Sequence, residues 1–166
     1  LIGMMAAGKT TIGFKLANKL GYEFIDIDGE IEKSENDKIT NIFKNKGEGY
    51  FRKVEEKITL LFLDKKNCVI SLGGGAFQNE KIRKKIKKNG TSFWLKWKIK
   101  TILDRISKNN RRPLAIKLKS KDIINLYRHR VKFYKLSDFK VNCENKNKND
   151  IIHKISKIIK NESSSN

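Results

Sequence analysis

The sequence is short of several residue types, and each shortage excludes a class of protein. Cysteine occurs only at Cys68 and Cys143, without CxxC spacing, which favours reduced thiols over a disulfide framework. Histidine occurs only at His129 and His153, which are far apart and have no cluster of ligands nearby, so we expect no histidine metal site. No run of about 18 apolar residues is present, and no signal peptide is visible, so we expect no membrane span.

Acidic residues are also scarce beside basic ones. The chain has 38 Lys and Arg against 18 Asp and Glu, a formal charge of +20, which raises nucleic acid as a possible partner. The basic residues are mostly lysines spread along the chain, and no RNA-binding signature with interleaved aromatics occurs, so we expect no specific nucleic-acid partner. Arginine is rare enough that each position merits inspection, because its planar guanidinium binds anions in a way that Lys cannot. The arginines are Arg52, Arg83, Arg105, Arg111, Arg112, Arg128 and Arg130.

The length of 166 residues predicts a single domain. We expect this domain to cover residues 1–160 and to be followed by a disordered tail at 161–166. Because Leu1 already lies in the expected first strand, we also expect further residues to precede it. The reduced cysteines favour a cytoplasmic protein. We also expect a monomer.

The strongest local signal is a phosphate-binding loop at the start of the chain. Residues 3–11 fit the pattern G-x-x-x-x-G-K-[ST], in which a loop between strand and helix wraps an anion with backbone N–H groups. Lys9 can reach the β- and γ-phosphates of a nucleotide, and the Thr10 hydroxyl can bind Mg²⁺. We therefore predict a bound nucleotide with Mg²⁺, in a site formed by Gly3, Ala6, Ala7, Gly8, Lys9, Thr10 and Thr11.

Strand and helix patterns alternate along the rest of the chain. This alternation predicts an α/β fold with a parallel sheet covered by helices on both faces. Helices are expected at 9–20, 30–34, 50–63, 80–88, 99–106, 122–136 and 150–159, and Ile39, Ile42 and Phe43 have helical spacing before Gly47 and Gly49 break the pattern. Strands are expected at 22–27, 68–72, 91–95 and 139–141, in addition to the first residues of the chain.

Candidate site residues follow two of these strands. Asp26 and Asp28 end the strand at 22–27, and in extended chain their spacing of two would place both carboxylates on one face. Gly73, Gly74 and Gly75 follow the strand at 68–72. Because ligands of such folds bind at the carboxyl ends of the strands, we expect these residues to lie beside the phosphate-binding loop.

Taken together, the motifs resemble those of the shikimate kinase family. The resemblance covers essentially the whole chain and rests on six segments in a fixed order. They are G-M-M-A-A-G-K-T-T at 3–11, F-I-D-I-D at 24–28, F-R-K-V-E at 51–55, G-G-G at 73–75, R-R-P-L at 111–114 and R-V-K-F-Y at 130–134. Two features depart from the family: Ala6 stands where the family loop usually has Gly, and the stretch after Val141 lacks the proline often present where the family contacts adenine. We therefore assign no adenine contacts in 142–149.

The resemblance implies a P-loop, nucleoside-monophosphate-kinase-like fold with a central parallel sheet of five strands. It implies phosphorylation of the 3-hydroxyl of shikimate by ATP and Mg²⁺, with a substrate-binding region at about 29–60 and a lid at about 109–119. Asp28 would bind the substrate hydroxyls, and Asp26 would hold Mg²⁺ through water alongside Thr10. The remaining implied roles are a carboxylate clamp by Arg52 and Arg130, close approach to the substrate ring at Gly73, Gly74 and Gly75, and contact with the ATP phosphates by Arg112 in the lid.

Other functions remain open at this point. A related P-loop kinase could act on another small metabolite such as gluconate, although Arg52, Arg130 and the triple glycine favour a cyclic carboxylate. A nucleoside monophosphate kinase is disfavoured, because no D-G-[FY]-P-R segment occurs. A nucleic-acid-binding NTPase or an inactive P-loop module is suggested only by the charge. Arg128 and Arg111 are expected on solvated surfaces, and Phe43 and Phe51 could wall the substrate pocket.

Overall fold

Parallel strands alternate with helices along the chain. The computed structural model describes residues 1–108 and 119–163. The strands are β1 (Glu23–Asp26), β2 (Cys68–Ser71), β3 (Phe93–Lys96) and β4 (Phe139–Asn142). The helices are α1 (Lys9–Leu20), α2 (Ile27–Glu35), α3 (Ile39–Phe62), α4 (Glu80–Asn89), α5 (Ile99–Ser107), α6 (Ser120–Tyr134) and α7 (Lys148–Ser163), with a 3₁₀ turn at Ala76–Gln78 before α4.

Two parallel strand pairs are joined by the first residues of the chain. β1 pairs with β2, and β3 pairs with β4, each over four residues in parallel register. Between these pairs, the Leu1 carbonyl accepts a hydrogen bond from Leu72 N, while Ile2 forms a parallel bridge with Trp94. The described sheet therefore has four strands, and the expected fifth strand is reduced to a two-residue segment in the middle of the order β1, β2, residues 1–2, β3, β4.

Helices cover both faces of this sheet, which confirms the predicted three-layer α/β architecture. Phe93 and Leu95 belong to one buried cluster, and Trp94 between them belongs to the other. Successive side chains of a strand point to opposite faces, so the two clusters lie on opposite sides of the sheet. The first cluster includes residues of α1, α5 and α7, and the second includes residues of α2, α3 and α4.

Several expected boundaries differ from the structure, and one difference matters for the site. β1 ends at Asp26 and α2 begins at once at Ile27, so Asp28 lies in the first turn of a helix. The prediction that Asp26 and Asp28 share one face of a strand is therefore wrong. The chain becomes helical directly after β1 because a helix that starts at Ile27 places Ile27 and Ile31 on one face. Both side chains are fully buried on that face of α2.

The long helix α3 is interrupted where the sequence predicted a break. Gly47 has non-helical dihedrals (φ 79°, ψ 170°), while Gly49 lies within the helix. At the end of the chain, α7 continues to Ser163, so the expected tail from residue 161 onwards begins as helix. The expected lid at 109–119 lies almost wholly outside the described residues. No helix among the described residues is long and apolar enough to cross a bilayer.

Candidate active site

The phosphate-binding loop has the backbone that its sequence predicts. Gly3 and Gly8 have positive φ angles of 148° and 85°, and α1 begins at the next residue, Lys9. Ala6 has a φ of 61°, a left-handed conformation that L-residues with a Cβ rarely adopt. The loop thus keeps its shape despite Ala6, and the alanine carries the conformational strain that glycine would avoid.

Lys9 lies folded over this loop. Its Nζ donates hydrogen bonds to the carbonyl oxygens of Gly3 at 3.0 Å and Met4 at 3.2 Å, and the side chain is buried. The ammonium group is therefore held against the backbone of the loop. A phosphate bound there would meet the positive end of α1 and the charge of Lys9 together.

Thr10 and Asp26 are paired beside the loop. Thr10 Oγ1 donates to Asp26 Oδ2 at 2.7 Å, although the two residues belong to α1 and β1. The oxygen atoms of this pair are of the kind that bind magnesium. Mg²⁺ is usually held by one or two protein oxygen ligands together with substrate phosphates and water, and a hydroxyl beside a carboxylate next to a phosphate loop matches that donor set. Among the described residues, no cluster of three or more His, Cys, Asp or Glu forms an all-protein metal cage.

The triple glycine lies against four charged side chains. A Cβ at Gly73 would collide with Glu55 Oε1 and lie 2.9 Å from Asp28 Oδ1. A Cβ at Gly74 would lie 3.0 Å from an Arg130 terminal nitrogen, and one at Gly75 would lie 2.6 Å from an Arg52 terminal nitrogen. Glycine is therefore needed at 73–75 because a side chain there would collide with these groups. At Gly75 backbone conformation is not the reason, because its dihedrals of φ −101° and ψ −19° are open to any residue.

Arg52 is held by carboxylates of its own helix. Its guanidinium donates to Glu55 at 2.6 Å and to Glu48 at 2.9 Å, and it lies over the Phe51 ring at 5.1 Å. Burial lowers the pKa of Arg52, but the two carboxylates outweigh it and raise that pKa. Burial raises the pKa of Glu55. Arg52 acts to lower that pKa, whereas the charge of Asp28 raises it further.

Glu55 is a site residue that the sequence analysis did not assign. It is 3 % exposed and lies between Arg52, Gly73 and Asp28. A signal was present, because Glu55 ends the F-R-K-V-E segment and stands three residues after Arg52, a spacing that places both on one helix face.

Arg130 is the more deeply buried of the two arginines beside the triple glycine. It is 7 % exposed, and its Nε has no hydrogen-bond partner among the described residues. Burial is the main cause that lowers the pKa of Arg130, and the nearby Arg52 adds to it. Two cations therefore converge on Gly74 and Gly75, an arrangement that attracts an anion.

Tyr134 fixes the backbone between these arginines. Its hydroxyl donates to the Gly74 carbonyl at 2.5 Å, and the ring is 1 % exposed. Burial raises the pKa of Tyr134 to about 12, so the hydroxyl stays protonated and remains a donor at neutral pH. Tyr134 was quoted as part of the R-V-K-F-Y segment, but its contact with a glycine sixty positions away was not predictable.

A cleft of about 640 Å³ adjoins the other side of the phosphate loop. Its described lining contains the cations Lys15, Arg105, Lys146 and Lys148 and no carboxylate. Part of its wall comes from the 142–149 stretch, for which the sequence analysis assigned no contacts. This volume and charge suit a nucleoside attached to phosphates in the loop.

The structure thus brings together most of the predicted site residues. Asp28, Arg52, Arg130 and the triple glycine meet on one side of the phosphate loop. Arg128 is exposed, as expected for a solvated helix face, and Phe51 packs in the core at 4.5 Å from Phe43. Arg112 and Arg111 lie outside the described residues.

Comparison with known proteins gives a consistent result. A family model described as shikimate kinase matches residues 5–160. The shikimate kinase of Persephonella marina is 42% identical over 155 residues, covering 93% of this chain and 94% of the relative. That of Sulfurihydrogenibium sp. is 38% identical, with 93% of both chains covered.

Solved structures agree with these relatives. A crystal structure of shikimate kinase from Aquifex aeolicus superposes with a TM-score of 0.85 at 35% identity, covering 98% of this chain and 95% of that one. Shikimate kinase from Acinetobacter baumannii in complex with shikimate gives a TM-score of 0.89 at 30% identity, covering 97% and 91%.

Proposed function

The chain belongs to the shikimate kinase family, and from that premise we propose how its own residues divide the work of the reaction. The family transfers the γ-phosphoryl group of ATP to the 3-hydroxyl of shikimate, with Mg²⁺, on the route to chorismate and the aromatic amino acids. The observation that carries the assignment of roles is the convergence of Arg52 and Arg130 on Gly74 and Gly75, with Asp28 against Gly73. This convergence supports an anion site beside a carboxylate base.

The donor half of the site consists of residues 3–11 with Asp26. Backbone N–H groups of the loop bind the ATP phosphates, and Lys9 neutralises charge on the transferring group. Thr10 and Asp26 would hold Mg²⁺, which neutralises phosphate charge when bound. Phosphoryl transfer requires positioning and charge neutralisation more than covalent chemistry, and these residues supply both.

The acceptor half consists of Asp28, Arg52, Glu55, Arg130 and the glycines at 73–75. Asp28 orients the attacking hydroxyl and accepts its proton. The hydroxyl oxygen then forms a bond to the γ-phosphorus, and the bond from that phosphorus to the bridging oxygen breaks, so ADP leaves with the electron pair. Asp28 lies in the first turn of α2, where the positive end of the helix interacts favourably with a carboxylate.

Arg52 and Arg130 bind the substrate carboxylate. Glu55 holds Arg52 from one side, so the guanidinium reaches the site in a fixed orientation. Arg130 contributes a buried donor, and a carboxylate oxygen at its Nε would satisfy that nitrogen. A carboxylate accepts two charge-assisted contacts, which explains why arginine stands at both places in a chain that otherwise prefers lysine.

The nucleoside of ATP is placed in the cleft between the loop, Arg105 and residues 146–149. We further propose a monomeric, cytoplasmic enzyme consisting of one domain over residues 1–160, with substrate contacts concentrated at 29–60. Arg112 would reach the ATP phosphates from the lid at 109–119. The charge of +20 attracts anionic substrates and needs no specific nucleic-acid partner.

An ADP-release assay tests this function against its rivals. We expect ATP-dependent ADP release with shikimate, and only background release with gluconate or with RNA. Release stimulated by gluconate and not by shikimate would move the related metabolite kinases ahead. Stimulation by RNA alone would point to a nucleic-acid-dependent NTPase, and binding of ATP without turnover on any acceptor would point to an inactive P-loop module.

A further inference from the structure

The break in α3 at Gly47 is held by the apolar core on its inner side only. There, the rings of Phe43 and Phe51 pack with their centres 4.5 Å apart. Residues 44–46 and 48–50, which flank the glycine, are all exposed. Gly47 has φ 79° and ψ 170°, so helical hydrogen bonding does not fix the angle between the two parts of the helix. On the outer side, this angle therefore depends on polar contacts.

One carboxylate of the neighbouring helix contacts both sides of the break. Glu35 is the last residue of α2, and its side chain is 13 % exposed. Its Oε2 accepts a hydrogen bond from Lys46 Nζ at 2.9 Å, just before the break, and another from the Tyr50 hydroxyl at 2.7 Å, just after it. The Lys46 ammonium also lies 4.6 Å from the centre of the Tyr50 ring. These three side chains form a clasp across Gly47, here called the Glu35 clasp.

The first residue after the break holds an arginine of the acceptor half. Glu48 Oε1 accepts hydrogen bonds from Arg52 Nε at 3.2 Å and from a terminal nitrogen of Arg52 at 2.9 Å. The Glu48 side chain is 65 % exposed, so its position depends on the direction in which α3 resumes after Gly47. A change at the break is therefore passed to the Arg52 guanidinium, which Glu55 holds from the other side.

We propose that Glu35 is a positioning residue for recognition of the substrate carboxylate. Its carboxylate holds Lys46 and Tyr50 and so sets the direction of the second part of α3. Through Glu48, the same contact sets the position of the Arg52 guanidinium. The inference rests on the proposed function, because it requires that Arg52 binds the carboxylate of shikimate.

A surface ion pair that only stabilises the fold is the competing explanation. Exposed pairs of that kind contribute little, and Glu23 with Lys65 is an example. Lys65 Nζ donates to both Glu23 oxygens at 2.9 and 3.0 Å, and the Glu23 side chain is 54 % exposed. Glu23 is the first residue of β1, at the opposite end of the strand from Asp26. Glu23→Ala is therefore a matched control for Glu35→Ala.

The first measurement compares KM for shikimate with KM for ATP in the ADP-release assay. Glu35→Ala should raise KM for shikimate about three- to fivefold, because the Arg52 guanidinium is displaced but still present. KM for ATP should stay within about twofold of the wild-type value. Tyr50→Phe loses one hydrogen bond but keeps its ring beside Lys46, so it should raise KM for shikimate by about twofold. Glu23→Ala should change neither value.

A double-mutant cycle then shows whether Glu35 acts through Arg52. When Arg52→Gln has removed the guanidinium, adding Glu35→Ala should raise KM for shikimate less than about twofold further. When Arg130→Gln is the background, the full three- to fivefold effect of about the same size should remain, because Arg130 lies on α6.

An equal further rise in both backgrounds would overturn the proposal, since Glu35 would then act independently of Arg52. An unchanged KM for shikimate in Glu35→Ala, or an equal rise in KM for both substrates, would overturn it as well. If the wild-type protein turned over gluconate and not shikimate, the proposed function would fail and the inference with it. Additive effects in a protein that does turn over shikimate would remove the inference alone.

Discussion

The donor half and the acceptor half of this site are built in different ways. The donor half is almost contiguous in sequence, and in the proposed assignment it binds the ATP phosphates largely with backbone groups. Its loop keeps its shape even with an alanine in a left-handed conformation. The acceptor half collects side chains from α2, α3 and α6 around a glycine run, and it contains no room for a single added methyl group at Gly73 or Gly75. A backbone-built site tolerates side-chain change, whereas a site of converging side chains depends on each contact.

The largest effect is expected for Lys9, the cation of the donor half. Lys9→Ala should lower turnover by about 10²–10³-fold or more, because the ammonium neutralises the transferring group. Lys19→Ala, in the last turn of the same helix, is the matched control and should leave turnover near normal. Steady-state ADP release measures both, and near-normal turnover in Lys9→Ala would reject the phosphate-loop assignment.

The second-largest effect is expected for Asp28, which accepts the proton of the attacking hydroxyl in the proposed reaction. Asp28→Asn keeps the shape of the side chain but removes its charge and basicity, so turnover should fall about 10²-fold. The measurement is kcat at saturating ATP and shikimate. The matched control is Asp104→Asn, an exposed acid in α5. If Asp28→Asn turned over like the wild type, Asp28 would not lie at the reacting hydroxyl.

The arginines separate substrate recognition from nucleotide recognition. Arg52→Lys or Arg130→Lys should raise KM for shikimate about tenfold or more, since a contact to a charged group is worth roughly 1.5–3 kcal/mol. KM for ATP should barely change, and the exposed Arg128→Lys should change neither value. Equal weakening of both substrates would make the arginines structural, and unaffected shikimate binding in both variants would favour the gluconate-type alternative.

A single methyl group tests the contrast most directly. Gly75→Ala adds no backbone strain, but its Cβ would lie 2.6 Å from Arg52 and must displace it. KM for shikimate should rise several-fold, up to about tenfold, because the guanidinium shifts and is not removed. Gly90→Ala, where nothing lies within 4 Å, is the control and should have no effect on either substrate. An unaltered KM in Gly75→Ala would show that the acceptor half is less tightly packed than its geometry indicates.

The smallest effect is a gain in stability within the donor half. A left-handed alanine costs about 1–2 kcal/mol, while glycine adds roughly 0.4–1 kcal/mol of unfolded-state freedom. Ala6→Gly should therefore stabilise the protein by roughly 0–1.6 kcal/mol and raise Tm by up to about 6 °C. Ala7→Gly, at a buried residue outside the left-handed region, should lower Tm. A lower Tm in Ala6→Gly would mean that the loop carries no strain there.

What could be predicted from sequence follows the same division. The phosphate loop and the bounds of α1 at 9–20 were predicted to the residue, because their signals are local in the sequence. The place of Asp28 was predicted wrongly as strand, because burial of Ile27 and Ile31 decides where α2 begins. The contacts of Glu55 with Gly73 and of Tyr134 with Gly74 were missed because each joins residues that are far apart in the chain.

The buried Nε of Arg130 has a consequence for how the protein can change over evolutionary time. A buried donor without a hydrogen-bond partner in a low-dielectric site destabilises the folded state. An apolar residue of similar volume at position 130 would therefore stabilise the protein in the absence of substrate. The same replacement would remove half of the carboxylate clamp. Selection for thermostability and selection for catalysis therefore pull in opposite directions at this position. A screen that rewards only a folded chain should recover apolar residues there, and one that rewards growth without aromatic amino acids should recover arginine.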